Sequence, residues 1–476
     1  MMAHPSFYLP PEILRMIIEF LSGDDITNSI SGTIDYENTI SSYAAVSKTW
    51  QNIVESISFR CITLTPESLP LARTIITPSR QYYLRKIDLH IVLPDYKDNR
   101  IRRDVVVDDN EDGDTDVETL DDQIRNQAVL DDFVRSFFND ILSTWNIQDI
   151  CEDGIGLNIR IYSRSDDGYT THVLAESEDP LWSGSERFQD SFLSVPRTLL
   201  PVPFISGLSI GDDISTRNLS GEGYSSLLRA LPNVIRVDVW AHEKQYANQN
   251  HRNAYIELVR SLGPSVTSLL CHIDDIDQDQ PPEWWHIDSL QTIQDMTVNG
   301  RDTLSESLHV LSYQLISLDV CGVFSPSLFW PQNTSTDSGT PFWPNLEILE
   351  VALHYVLPGG IWLFQKCRDE WNVDPFTGVA HFHWEANEDA LNMLHAAVVR
   401  AVTKMPKIAS LTIQCNLSPG FSHHFRLTVT KKRIAKAIWT SSPAYEPPRQ
   451  VLDLWKMIAW HRSLYFNFVV KAPDES

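Results

Sequence analysis

The sequence has few of the features that mark secreted or membrane-spanning proteins. It holds only 6 cysteines in 476 residues, and none forms a CxxC pair. They are interpreted as reduced thiols, which predicts a cytoplasmic or nuclear location. No stretch reaches the roughly 18 apolar residues that a membrane span requires. The apolar run from Leu9 to Leu21 contains three charged residues and follows no basic segment, which argues against a signal peptide.

Basic residues are also scarce. Lys and Arg number 38 against 63 Asp and Glu, a formal net charge of −25. A chain this acidic is repelled by phosphate backbones and by anionic lipid, so neither nucleic acid nor a membrane is expected as a partner. The longest basic run, Lys431-Lys432-Arg433, is too short to reverse that prediction. The acidic balance favours a basic target.

Catalytic and cofactor motifs are weak or missing. No P-loop and no GxGxxG after a strand is present, and the one GxSxG match, Gly207–Gly211, overlaps a strand pattern and not a strand–helix turn. We therefore expect no catalytic residue, no cofactor and no enzymatic activity. His381 and His383 have the best metal-like spacing, but we interpret them as the outward positions of a strand, so no metal site is expected. His423-His424 are assigned to a loop and Gly221-Glu-Gly223 to a turn.

From residue 200 onward, the pattern apolar-x-x-apolar-x-apolar recurs eight times at intervals of 22 to 33 residues. In five of these eight, a proline stands two residues before the first apolar position, a placement that suits a strand start after a helix. The matches are Ile205/Leu208/Ile210, Val234/Val237/Val239, Val266/Leu269/Cys271, Ile293/Met296/Val298, Leu315/Leu318/Val320, Leu346/Leu349/Val351, Val379/Phe382/Trp384 and Ile408/Leu411/Ile413. Helical patterns run through 255–262 and 391–405.

A strand and a helix in each interval predict stacked units with a shared core. The predicted fold class is α/β, with a small all-α segment at 7–65 followed by an irregular leucine-rich-like strand/helix solenoid over 201–440. Residues 66–200 are predicted as a linking region with one or two early strands, Leu84/Ile87/Leu89 and Leu157–Ile161. This region holds an acidic disordered loop at about 104–122 and then a helix through 130–141. Residues 449–470 are predicted as a C-terminal capping helix.

Two blocks near the N-terminus resemble the F-box. They are Leu9-Pro10-Pro11-Glu12-Ile13-Leu14 with Ile17 and Leu21, and then Val46-Ser47-Lys48-x-Trp50. The segment 59–64 is similar to the one that follows the F-box in many fungal members, although 23–38 is longer than usual. The resemblance implies docking on the Skp-type adaptor of a cullin–RING ubiquitin ligase, through Leu9, Pro10, Ile13, Leu14, Ile17, Val46 and Trp50.

The remainder resembles the divergent leucine-rich-like regions of fungal F-box proteins. This resemblance implies a substrate receptor of the SCF type whose open strand face holds a target protein. The side chains between the inward positions would line that face: Arg236, Asp238, Trp240, Asp319, Glu350, His381, His383 and Gln414. Two alternatives stay open: a less regular α/β domain, and an adaptor-independent protein-binding scaffold whose N-terminal helices only cap the array.

Overall fold

The computed structural model describes residues 13, 15–16, 43–95, 118–163, 191–211, 217–241, 249–273, 297, 300–331, 340–365, 385–418 and 421–471. Within these residues the chain is a mixed α/β protein with nine helices and one large, mostly parallel sheet of twelve strands. The predicted α/β class is confirmed. No described helix has the length and apolarity needed to traverse a bilayer.

The elements of the first part are, in chain order, α1 (Lys48–Ser58), β1 (Cys61–Leu64), α2 (Leu69–Ile75), α3 (Pro78–Gln81), β2 (Lys86–Leu93), α4 (Leu120–Arg135) and β3 (Ile155–Ser163). A π-helical turn, Ser136–Ile141, continues α4. The central part contains β4 (Ile205–Ile210), α5 (Gly221–Ala230), β5 (Arg236–Ala241), α6 (Gln249–Ser261), β6 (Ser268–Ile273), α7 (Thr303–Leu311), β7 (Ser317–Gly322) and β8 (Ile348–Leu353).

The last part begins with two small two-stranded sheets, formed by β9 (Val356–Leu357) with β10 (Ile361–Trp362) and by β11 (Phe364–Gln365) with β12 (Glu385–Ala386). It continues with α8 (Glu388–Val402), β13 (Ser410–Ser418), β14 (Phe421–Val429), β15 (Ile434–Ser442), α9 (Arg449–His461) and β16 (Tyr465–Lys471).

The strands of the large sheet lie side by side in the order of the chain. Strands β1 to β8 and then β13 are parallel neighbours, as expected when a helix or loop returns the chain between strands. Strand β14 is antiparallel to both of its neighbours, and β16 pairs in parallel with β15 at the end of the sheet. Early strands β2 and β3 belong to this same sheet, as does β1, whose residues fall inside the predicted all-α segment 7–65.

Six of the eight pattern matches coincide with β4, β5, β6, β7, β8 and β13, so the predicted strands are confirmed there. The other two matches, 293–298 and 379–384, lie outside the described residues. The middle apolar position of every confirmed match is buried, because these side chains face one core shared with the helices. They are Leu208, Val237, Leu269, Leu318, Leu349 and Leu411.

Two sequence predictions in the first half need correction. The acidic loop predicted at 104–122 ends earlier, because the Thr119 hydroxyl caps α4 and the helix begins at Leu120; residues 104–117 lie outside the described part. Gly221-Glu-Gly223 is the first turn of α5, capped by Ser220. A Cβ at Gly221 would lie 2.8 Å from that of Glu257 on α6, so this glycine allows close helix packing.

The C-terminal predictions also change. The predicted capping helix 449–470 ends at His461, and the chain reverses at Ser463 (φ 54°) into β16. Aromatic and β-branched residues occupy every position of Tyr465–Val470 except Asn467, and these residue types favour a strand. His423 and His424, assigned to a loop, lie on β14. The last strands are therefore a partly antiparallel addition to the predicted array.

Candidate functional site

The strands present one side to the core and the other, here called the open face, to polar surroundings. The strand register places the open-face side chains in rows that cross the sheet. The central row is Thr63, Asp88, Asn158, Ser209, Asp238, Leu270, Asp319, Glu350, Thr412, Arg426, Ile438 and Val469. Four carboxylates therefore lie on one line over β2 to β8, and the first cation follows on β14.

Trp240, His272 and Asp319 form a cluster near the middle of this face. The ring centroids of Trp240 and His272 are 4.5 Å apart in an edge-to-face arrangement. His272 Nε2 lies 3.0 Å from Asp319 Oδ1, so the imidazole bridges the indole and the carboxylate across three strands. An exposed indole held by a fixed neighbour is an effective contact for a partner protein, because it loses little conformational freedom on binding.

Arg236 and Asp238 form a second cluster on β5. The guanidinium Nε donates to both carboxylate oxygens, at 3.0 and 2.9 Å. The bond to Asp238 raises the pKa of Arg236, which therefore stays charged. Both side chains reach solvent, and this pair adds polar, geometrically fixed groups beside Trp240.

Asp88 organises a third cluster where β1, β2 and β3 meet. Its carboxylate accepts from the amide of Asn158 at 2.9 Å and from the thiol of Cys61 at 3.2 Å, and it pairs with Lys86 at 2.8 Å. Burial and the bond to Asp88 together raise the pKa of Cys61 to about 11. A thiol with so high a pKa is protonated at neutral pH and is a poor nucleophile.

The structure brings most of the predicted target-binding residues onto the open face. Arg236, Asp238, Trp240, Asp319, Glu350 and Gln414 all point to the same side of the sheet. His381 and His383 lie outside the described residues. The sequence reasoning missed His272 and Asp88; alternation along their strands was the available signal, but their contacts depend on register.

The predicted adaptor-binding residues are described only in part. Ile13 and Val46 are exposed, and Trp50 on α1 is half-buried with its ring 5.8 Å from that of Tyr43. Leu9, Pro10, Leu14 and Ile17 lie outside the described residues. Ser47 accepts from the backbone N–H of Trp50 and so fixes the start of α1, which leaves Val46 at the exposed entrance of the helix.

A buried histidine pair lies on the opposite, core side of the sheet. Nε2 of His395 is 2.9 Å from Nε2 of His423, whose Nδ1 lies 3.3 Å from Ser441 Oγ. The Ser441 hydroxyl donates to the carbonyl of Pro443, so it accepts from His423, which in turn accepts from His395. Burial lowers the pKa of both rings, to about 3 for His423, so both are neutral.

Metal binding finds no support in the described residues, which contain no group of three or more His, Cys, Asp or Glu side chains that could hold an ion. No protein-family model matches the chain, and no curated protein is significantly similar to it. The described groups offer rows of hydrogen-bonding and charged side chains around one exposed indole. Such a surface can hold a partner chain.

Proposed function

We propose that this chain is the substrate-recognition subunit of a cullin–RING ubiquitin ligase of the SCF type, in the cytoplasm or nucleus. The N-terminal segment would dock on the Skp-type adaptor and, through it, on the cullin, while the open face holds a target protein. The observation that carries the adaptor half is the exposure of Val46. A large apolar side chain reaches solvent at a position that the F-box resemblance assigns to the adaptor.

The target half is supported by the arrangement of the strands. Neighbours in chain order with helices on one side suit an irregular leucine-rich-like solenoid, a design that leaves one strand face available for binding. The row from Asp88 to Glu350 is acidic and Trp240 lies beside it. These groups favour a basic segment of the target, with the indole as the apolar contact.

In this function the chain performs no chemistry itself. Holding the target beside the ubiquitin-carrying subunits raises the local concentration of its lysines, and this positioning supplies the rate enhancement. Such a function requires no reactive side chain. The Cys61 thiol is protonated and the His395–His423 pair is buried and neutral, which agrees with this.

The adaptor half is tested by comparing two valines of equal exposure. Val46 is 62% exposed and Val310, on α7, is 63% exposed. We expect Val46→Asp to weaken co-purification with a recombinant Skp-type adaptor by about tenfold or more, because it places a charge in an apolar contact. Val310→Asp is the matched control and should bind as the unsubstituted chain does. Melting curves of both variants establish that they remain folded.

The alternative, an adaptor-independent protein-binding scaffold, is favoured by one observation. Arg80 on α3 donates to Glu55 on α1 at 2.8 Å, and its guanidinium carbon stands 4.6 Å from the Phe59 ring centre. These contacts tie α1 to the sheet-bearing part, as a capping helix requires. If folded Val46→Asp and Ile13→Asp proteins bind the adaptor as well as the unsubstituted chain, or if that chain does not bind it, the scaffold reading replaces the ligase one.

A further inference from the structure

The C-terminal end of the protein has the opposite charge to the rest. Residues 421–476 hold nine lysines and arginines and four acidic residues, a net charge of +5 within a chain whose total is −25. Such a separation of charge creates a strong local field that attracts anionic groups. Five of the cations are also grouped in space, because they lie on β14, on β15 and on the turn between these two adjacent strands.

We name five of these side chains the basic patch: Arg426, Lys431, Lys432, Arg433 and Lys436. All five are exposed. Arg426 and Lys436 lie on the open face of β14 and β15, as diagonal neighbours two positions out of register. The other three occupy the turn that the Thr430–Ile434 hydrogen bond closes.

No carboxylate among the described residues pairs with any member of the basic patch. The cations elsewhere on the open face differ, since Lys86 pairs with Asp88 and Arg236 pairs with Asp238. Like charges on diagonal positions of adjacent strands repel each other. A bound anion would relieve that repulsion, and the patch is therefore suited to a negatively charged partner.

The strand beside the patch, β16, ends the sheet. One edge of it pairs with β15, and no strand of the described residues pairs with its other edge. Proteins normally protect such an edge with charged residues, proline, a bulge or a very short strand. The only charged residue of β16 is Lys471 at its end, and Tyr465–Val470 before it has no charge and no proline, whereas β1, at the opposite end of the sheet, is only four residues long.

Exposed apolar side chains lie on β16 and at the end of α9, the helix that leads into it. Tyr465 is 73% exposed, and Trp460 at the end of α9 is 83% exposed. Phe468 and Val470 are also exposed, and the register places them on the core side of β16, in line with Ala437 and Trp439. An added strand could cover Phe468 and Val470 on that side while its backbone pairs with β16.

The edge and the basic patch are continuous. The backbone N–H of Tyr465 donates to the carbonyl of Arg433 at 2.9 Å, and Lys436 is the register partner of Asn467. A strand added to β16 would lie two strand spacings, about 10 Å, from Lys436. A lysine and a glutamate side chain together can bridge that distance.

We propose that the edge of β16 away from β15 accepts an extended acidic segment of a partner protein as an additional strand. Carboxylates on its open-face side would face the basic patch, and apolar side chains on its other side would cover Phe468 and Val470. This is strand addition, in which backbone bonds give affinity and alternate side chains give specificity. A second copy of the chain is disfavoured as the occupant, because it would bring two ends of charge +5 together. The inference does not depend on adaptor docking.

The test uses the full chain and a fluorescein-labelled decapeptide of alternating valine and glutamate, with an alternating valine–lysine decapeptide as its charge-reversed counterpart. Fluorescence anisotropy should show that the glutamate peptide binds and the lysine peptide does not. The affinity for the glutamate peptide should fall as the salt concentration is raised. The R426E/K436E variant should bind about tenfold more weakly or worse. The R229E/K407E variant changes the net charge equally at exposed sites outside the patch and should bind within about twofold of the unsubstituted chain.

Val470→Lys separates strand addition from simple charge attraction. It adds a cation but removes an apolar contact and charges the strand edge, so we expect weaker binding of the glutamate peptide. Tyr465→Lys is the second variant if the first does not fold. Unchanged or tighter binding by a folded variant would overturn strand addition. Three other results would each overturn the acidic-segment assignment. The lysine peptide could bind equally well, a twenty-base oligothymidine could bind more tightly, or the chain could form a dimer in solution that Val470→Lys dissociates.

Discussion

Arg252 and Asp302 form an ion pair inside the protein, 50 residues apart in the chain. Nη2 of Arg252 lies 2.6 Å from Oδ1 of Asp302, and the two side chains are 1% and 2% exposed. Asp302 also caps α7 by accepting from the backbone N–H of Ser305, and it accepts from Ser325 N–H at 3.1 Å. One carboxylate therefore joins α6, α7 and the loop after β7.

Replacing Asp302 with asparagine should cost about 3 to 5 kcal/mol of unfolding free energy, because it leaves the Arg252 charge buried without its partner. Burial alone would raise the pKa of Asp302, but Arg252 and Ser305 outweigh it and hold the pKa low, so the native carboxylate is ionised. Urea unfolding at pH 7 measures the loss. Asp238→Asn is the control: its partner Arg236 is largely exposed, and the cost should stay within about 1 kcal/mol. Equal losses in the two variants would contradict the prediction.

The buried histidines should make the protein less stable in mild acid. Burial lowers the pKa of His354 and of His423 to about 3, and it lowers the pKa of His395 as well. Below about pH 6.5 these histidines bind protons in the unfolded chain, whereas their buried rings stay neutral in the native protein. Each such histidine therefore lowers the unfolding free energy by about 1.4 kcal/mol for each pH unit below that value. Above it, the histidine is neutral in both states and the unfolding free energy keeps its full value.

Urea unfolding between pH 7.5 and 5 measures this slope. His423→Asn should reduce it by about 1.4 kcal/mol per pH unit, since one proton fewer distinguishes the two states. Val310→Asn, at an exposed position that binds no proton in either state, should leave the slope unchanged. The hypothesis fails if both variants keep the slope of the unsubstituted chain.

Cys61 should react slowly with alkylating reagents although it is exposed. Burial of the thiol group and its bond to Asp88 raise its pKa to about 11, so at pH 8 only about one molecule in a thousand carries the thiolate. Asp88→Asn removes the carboxylate and should speed iodoacetamide labelling several-fold. Mass spectrometry of the Cys61 peptide follows the rate, and Asp238→Asn controls for the lost charge. Equal rates would show that Asp88 does not suppress the thiolate.

The strands were predictable because each carries its own signal. Val237 and Val239, or Leu318 and Val320, alternate with polar residues after a proline or a helical pattern, and burial on one side of a sheet imposes that alternation. The hairpin β14–β15 and strand β16 lack the preceding proline and the repeat spacing. They were missed because their burial is set by long-range packing against α8 and α9.

The sequence predicts which side chains lie on the open face of the sheet, but not which of them contact one another. Alternation places Trp240 and Asp319 outward, but which side chains meet depends on strand register, since His272 and Asp319 lie 47 residues apart in the chain. His272 was missed for this reason. The basic patch shows the same limit: Lys431-Lys432-Arg433 looked too short to matter, and only strand pairing adds Arg426 and Lys436 to it.

The arrangement of strands in chain order has a consequence for how such a protein changes over evolutionary time. From β4 to β7, each strand pairs only with the strands before and after it in the chain, so a duplicated or deleted strand–helix block of about 30 residues disturbs two junctions and leaves the distant pairings intact. Length then becomes an adjustable property. A wider or narrower open face can arise by changing the number of blocks, while the elements at both ends of the sheet stay as they are.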